Sequence, residues 1–279
     1  MRIPVLLCCL AFGAAVPLAA QSADTAKAKS EPVIQDNSFL VEEAYNQDAG
    51  VVQHISTYQI QRGTPGFVAS FTQEWPVGSI THQLSYTIPI SRADARTGIG
   101  DVLINYRYQL LGDGEAKLAI APRLSLALPT GDWKQSRGAG AAGLNGTVPF
   151  SYVVSPQIVT HFDIGGSITP SARDTQGDRA RILGWTTAGS VILTVSNRIQ
   201  PMLEAVYSSN QSVVGRDLTA RSESLLISPG IRAAFNFTSG LQIVPGIAVP
   251  LGVGPSSGQR YAFFYLSFEH PFNEQGRPH

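Results

Sequence analysis

Four charged side chains recur within otherwise apolar, alternating stretches: Arg107, Arg123, Glu204 and Arg232. Guanidinium groups and a carboxylate confined to one space either line a polar passage that selects solutes, or pair internally and fill it. Catalysis would need a nucleophile beside its base. Thr81-His82-Gln83-Leu84-Ser85 offers a histidine and a serine, but on a strand their odd spacing sends them to opposite faces, beyond the ~3 Å reach of proton transfer. His82 is expected to point outward as an interfacial ring. His54, His161, His270 and His279 show no metal-ligand spacing. Gly138-Ala139-Gly140-Ala141-Ala142-Gly143 matches the letters of a dinucleotide loop, yet Asn145-Gly146 and Pro149 forbid the helix that should follow. A mobile glycine-rich loop is expected there, and no cofactor is implied.

The elements that hold these residues follow from composition and period. Twenty Lys and Arg balance twenty Asp and Glu, and the pI is ≈ 7.0. There is no basic field to gather phosphates, which excludes nucleic acid as a partner. Only 14% of residues are charged, against about 25% in ordinary soluble domains, while the apolar share is ordinary. Arg2 precedes the apolar run Ile3 to Ala20, broken by Pro4 and Pro17 and followed by Gln21-Ser22-Ala23-Asp24. That pattern predicts a secretory signal peptide over 1–20, and both cysteines, Cys8 and Cys9, lie inside it. Residues 21–49 are polar and loosely patterned, a periplasmic segment or a plug, where Asn37 or Ser38 could cap a short helix carrying Phe39, Leu40 and Ala44.

From Gly50 onward the period is two. Ile80, His82, Leu84, Tyr86, Ile88 and Ile90 alternate with polar residues, as do Val102, Ile104, Tyr106, Tyr108 and Leu110, then Leu118, Ile120, Pro122, Leu124, Leu126 and Leu128. The pattern predicts twelve strands, near 51–61, 67–75, 79–91, 99–111, 116–129, 148–156, 158–169, 182–195, 199–209, 222–236, 241–250 and 260–272. Tight turns at 76–78, 112–115, 157, 196–198 and 237–240 alternate with longer connections at 92–98, 130–147, 170–181, 210–221 and 251–259. Short and long loops therefore sort to opposite rims of one closed sheet, with both ends of the chain on the short-turn side. Outer-membrane barrels are built in this way, and a soluble sandwich has no reason to sort loops by parity.

The apolar face is read as carrying no Asp, Glu, Lys or Arg, as a bilayer enforces at ~2 to 4 kcal/mol for a midplane Arg or Lys. The other face carries Thr81, Gln83, Asp101, Asn105, Arg107, Arg123, Glu204, Arg232 and Glu269 among Ala, Ser and Gly, which suits a narrow lumen. Twelve strands ~4.8 Å apart and tilted ~40° enclose a backbone radius of only ~12 Å. Trp75, Trp185, Tyr106, Tyr108 and Tyr207 are outward girdle candidates. Pro122, Pro156, Pro201, Pro229 and Pro245 fall within the predicted strands and should each remove a ladder donor. Phe264, Leu266, Phe268, His270 and Phe272 alternate to the end of the last strand, resembling the signal read by the barrel-assembly machinery.

Asp36 to Gln47, Gly98-Ile99-Gly100-Asp101, Leu128-Pro129-Thr130-Gly131-Asp132 and Ser228-Pro229-Gly230-Ile231 resemble the meta-pathway phenol-degradation transporter family of bacterial outer-membrane proteins. The resemblance implies a β-barrel passing small, aromatic or hydrophobic compounds, and it transfers no functional residue by position. Pro129 to Asp132 is expected to end a strand and turn into the longest outer loop, a structural role.

The expected architecture is all-β, a closed antiparallel transmembrane β-barrel of about 12 strands over 50–272, with a tail over 273–279. The expected activity is passive passage of small solutes across the outer membrane, with membrane lipid around it. A non-conducting structural or adhesive barrel and a lipid hydrolase are the alternatives.

Overall fold

The computed structural model describes residue 34 and residues 38–93, 96–113 and 115–272. The expected signal peptide and C-terminal tail lie outside these residues. Twelve strands form the ring: β1 Val51–Gln61, β2 Phe67–Val77, β3 Ser79–Ala93, β4 Leu103–Tyr108 with an outer piece Arg96–Ile99, and β5 Arg123–Ala127 with an inner piece Leu118–Ile120. They continue with β6 Gly143–Ser155, β7 Ile158–Arg173, β8 Arg179–Leu193, β9 Ile199–Gly215, β10 Leu218–Ala233, β11 Gln242–Ala248 with an outer piece Leu251–Gly252, and β12 Tyr261–Pro271.

Every neighbour pairs antiparallel in sequence order, and β12 pairs β1 from Val51↔Pro271 to Gln61↔Tyr261, which closes the ring. A closed sheet leaves no unpaired edge in hydrocarbon. Burial is distributed as a membrane barrel requires. Gln83, Asn105, Gln200 and Glu204 are buried inside, whereas Leu124 (57%), Leu203 (52%) and Ile247 (56%) stand exposed on the outer wall. Trp185, Tyr106 and Tyr108 are exposed there too.

Several expectations change at the strand ends. β9 and β10 run on to Gly215 and Leu218, so the predicted 210–221 loop is a turn at Arg216-Asp217, with Asp217 at φ 57. β7 likewise reaches Arg173, and β6 starts at Gly143. These extensions stand beyond the apolar band, where no bilayer imposes alternation. For the same reason Arg221 and Glu223 occupy the outward face of β10, in register with Gln211 and Ser209, contrary to the expected absence of charge.

The prolines also find places. Pro156 belongs to the turn before β7, and Pro122 lies in the break between the two pieces of β5. Pro122 and Pro229 still accept bonds from Tyr108 N–H (3.0 Å) and Val249 N–H (3.0 Å). Pro201 and Pro245 sit in regular ladder, opposite Ile231 and Leu266, and each forgoes one donor while its carbonyl remains available.

Candidate functional site

The lumen wall converges on residues 38–47, which run inside the ring in irregular, non-helical backbone. The expected helix capped by Ser38 is absent because the backbone donors of this stretch go to the barrel instead. Glu204 Oε1 accepts from Leu40 N–H at 2.7 Å and Val41 N–H at 3.3 Å. Asp163 Oδ2 accepts from Glu42 N–H (2.7 Å), and Ser151 Oγ from Ala44 N–H (2.7 Å). Gln109 Oε1 accepts from Asn46 N–H (2.9 Å), and Gln83 Oε1 from Gln47 N–H (2.7 Å). Ser38 Oγ lies 2.8 Å from Ser190 Oγ. Buried backbone donors must be satisfied, and five side chains, four of them on β3, β6, β7 and β9 and Gln109 just beyond the end of β4, satisfy them here.

The carbonyls are met by the opposite chemistry. Arg107 donates to Tyr45 O (2.5 Å), Glu43 O (3.3 Å) and Asn46 Oδ1 (2.8 Å), and it lies 3.8 Å from the Glu74 carboxylate. Gln109 Nε2 donates to Ala44 O at 2.7 Å. Arg123 pairs with Glu42. The wall also leaves room for one ring: a Cβ at Gly246 or Gly230 would stand 2.4 Å or 2.7 Å from Phe39. Phe263 and Tyr265 complete that seat at centroid distances of 5.8 and 5.2 Å.

All four charged residues singled out from the sequence therefore face inward. Arg107 and Arg123 stand opposite each other in register. Glu204 and Arg232 are not opposite each other: Glu204 faces Ser228, and Arg232 faces Gln200, to which its Nε donates at 2.9 Å. Gln200 in turn donates weakly to Ile34 O at 3.4 Å. Asp163, Gln109 and Ser151 carry no such mark in the sequence, although alternation places each on the polar face, where Gln83 is also expected. Two cavities flank the segment. One of ≈ 160 Å³ opens toward the short-turn rim between Tyr45, Pro156, His161, Ile192 and Arg232. The other, ≈ 250 Å³, lies on the long-loop side between Thr57, Thr72, Thr87, Leu103 and Arg123.

The histidines divide by face. His82 points outward, 2.7 Å from the Tyr106 hydroxyl, while Ser85 is buried inside and accepts from Asn105 Nδ2 at 3.1 Å. His161 lies 2.7 Å from Ser151 Oγ, a contact hidden under the segment. Among the described residues no group of three or more His, Cys, Asp or Glu is placed to hold a metal.

At the long-loop rim the Gly98 and Leu128 motifs meet. Asp101 sits in the break between the two pieces of β4, not on a strand face as alternation predicted, and accepts from Gly131 N–H (2.9 Å) and Ala139 N–H (2.7 Å). Thr130 Oγ accepts from Val102 N–H (2.9 Å) and donates to Gly100 O (2.9 Å). Arg173 N–H donates to Ala139 O at 2.8 Å. The glycine-rich stretch is therefore held at several points instead of swinging free. A Cβ at Gly138 would meet Asp101 Oδ1 at 2.3 Å, so close backbone approach, not nucleotide binding, explains this glycine.

These features coincide with a known family. Residues 30–268 match the family described as "Putative MetA-pathway of phenol degradation". The chain belongs to it. In fold it is similar to an outer membrane channel from Pseudomonas putida, with a TM-score of 0.61 at 14% identity over 81% of this chain and 97% of that one. A KdgM porin is also similar, with a TM-score of 0.48 at 9% identity over 79% of this chain and 99% of that one. No curated protein matches the sequence. The member described here has the fold of an outer-membrane β-barrel, with an apolar outer wall.

Proposed function

We propose that this family member is a passive channel for small solutes and that residues 38–47 are its resting closure. The observation that carries this reading is the division of a polar lumen into two cavities by a segment bonded to the wall through side chains alone. No strand ladder includes the segment, so it can leave without opening the ring. Arg107, Arg123 and Glu204 then serve twice: they hold the segment when it is seated and line the solute path, with Arg232, when it is not.

The outer cavity offers the hydroxyls of Thr57, Ser70, Thr72 and Thr87 beside Ile55, Leu103 and Tyr265. That mixture suits a small solute with an apolar body and one or two polar groups, aromatic or hydrophobic compounds included. Export follows a signal peptide cleaved near Ala20, and the alternating end of β12 addresses the chain to the assembly machinery. Catalysis is not part of this reading. His82 and Ser85 lie on opposite faces of β3, and the Ser151 hydroxyl is already engaged by Ala44 N–H and His161.

Planar-bilayer recordings of the refolded protein, with and without residues 21–47, test the proposal. Brief or rare openings that become steady on deletion support it. Silence from both forms favours a non-conducting barrel, a reading that the number of bonds holding the segment also supports. Ester hydrolysis of a phospholipid by the purified protein would replace both with a lipid hydrolase.

A further inference from the structure

We propose that the outer wall beside the β11–β12 connection binds the phosphorylated head group of an outer-leaflet glycolipid, with Arg62 and Arg260 as its phosphate ligands. The inference rests on the barrel's place in a membrane and is independent of conduction. Arg62 N–H donates to Arg260 O at 2.8 Å, so the two residues are neighbours across the long-loop ends of β1 and β12. Arg260 bridges Leu251, whose side chain is exposed on the lipid-facing wall. Both arginines are exposed, and neither forms an ion pair among the described residues. Two like charges side by side on one face are unfavourable unless an anion lies between them.

The surface below them is shaped for a chain. β11 breaks at Val249-Pro250 before resuming at Leu251–Gly252, and this break leaves a groove of ≈ 710 Å³. Arg62 and Arg260 stand over it, with Val249, Leu251, Val253 and Ala262 beneath. Exposed Ile247 and Phe264 continue the apolar track toward the middle of the wall. A cationic pair above an apolar track is complementary to an acylated phosphate. Guanidinium forks match phosphate oxygens in bidentate fashion. Two of them favour a phosphate monoester, at close to two negative charges, over the single charge of a phospholipid diester. The occupant that fits is therefore a glycolipid bearing phosphate monoesters.

Native mass spectrometry of the full refolded chain in detergent, titrated with bis-phosphorylated lipid A, reads this directly. The wild type should retain one lipid, and Arg62→Gln with Arg260→Gln should lower retention at least tenfold. Dephosphorylated lipid A and phosphatidylglycerol should each be held at least tenfold less than the bis-phosphorylated form. Arg62→Lys with Arg260→Lys, which keeps the charge and removes the fork, should fall between wild type and the glutamine pair. Heat-modifiable gel mobility confirms that each variant is folded. Equal retention by wild type and the glutamine pair overturns the proposal, as does phosphatidylglycerol bound as tightly as lipid A. An equal loss from Arg179→Gln with Arg216→Gln, elsewhere on the rim, would reduce the site to diffuse charge and overturn it too.

Discussion

Arg107 and Arg123 stand directly opposite each other on β4 and β5, and the carboxylate that neutralises Arg123 comes from Glu42, outside the wall. Like charges in register weaken a ladder. Glu74 of β2 stands 3.8 Å from Arg107, and the segment supplies the rest: Glu42 for Arg123 and the carbonyls of Glu43 and Tyr45 for Arg107. Seating the segment and stabilising the β4–β5 pair are therefore one event.

Glu42→Gln should raise the opening frequency about fivefold in bilayer recordings. The Arg123–Glu42 pair is about a fifth exposed at each end, so its worth is about 1 kcal/mol. The same variant should increase anion preference in reversal-potential measurements under a salt gradient, and Arg123→Ala should decrease it.

Glu204→Ala removes the acceptor of two backbone donors, Leu40 N–H and Val41 N–H. Losing hydrogen bonds to a charged group costs about 1.5 to 3 kcal/mol. Protease cleavage within 38–47 should accelerate ten- to a hundredfold, while cleavage elsewhere is unchanged. Equal rates for wild type and variant would show that Glu204 does not hold the segment.

Gly246→Ala should unseat Phe39, because the added Cβ falls 2.4 Å from its ring. Overpacking of this kind costs about 1 to 3 kcal/mol. In a Phe39→Ala background the same substitution should have little effect. A double-mutant cycle on opening probability measures the coupling, and simple additivity would contradict the packing described.

Asp101→Ala should loosen the outer loop without opening the barrel. Two accepted bonds are lost, from Gly131 N–H and Ala139 N–H, about 1 to 3 kcal/mol of local stability. Cleavage within 133–142 should rise at least fivefold, with the urea midpoint of barrel unfolding nearly unchanged.

The barrel was legible because a bilayer constrains one face of every strand, so Ile80 to Ile90 and Leu118 to Leu128 carry their geometry in their period. Legibility stopped where that constraint stopped. Asn210 to Gly215 continues β9 above the apolar band, and its polar residues show no contrast between faces. Asp101 obeys alternation by position but lies in a break where alternation has no meaning. The charged lumen residues were legible as inward-facing, since each falls on the polar face. Their common partner was not. Glu204 meets Leu40 across 164 residues and Asp163 meets Glu42 across 121. Both bonds end on backbone N–H groups, which every residue type but proline carries alike.

The seat of residues 38–47 is assembled from β3, β4, β6, β7, β8 and β9, with the Phe39 niche added by β10, β11 and β12. No single hairpin presents more than a fragment of it. The seat exists only where all these strands face one lumen, so ten residues near the start of the chain depend for their place on side chains spread along nearly its whole length.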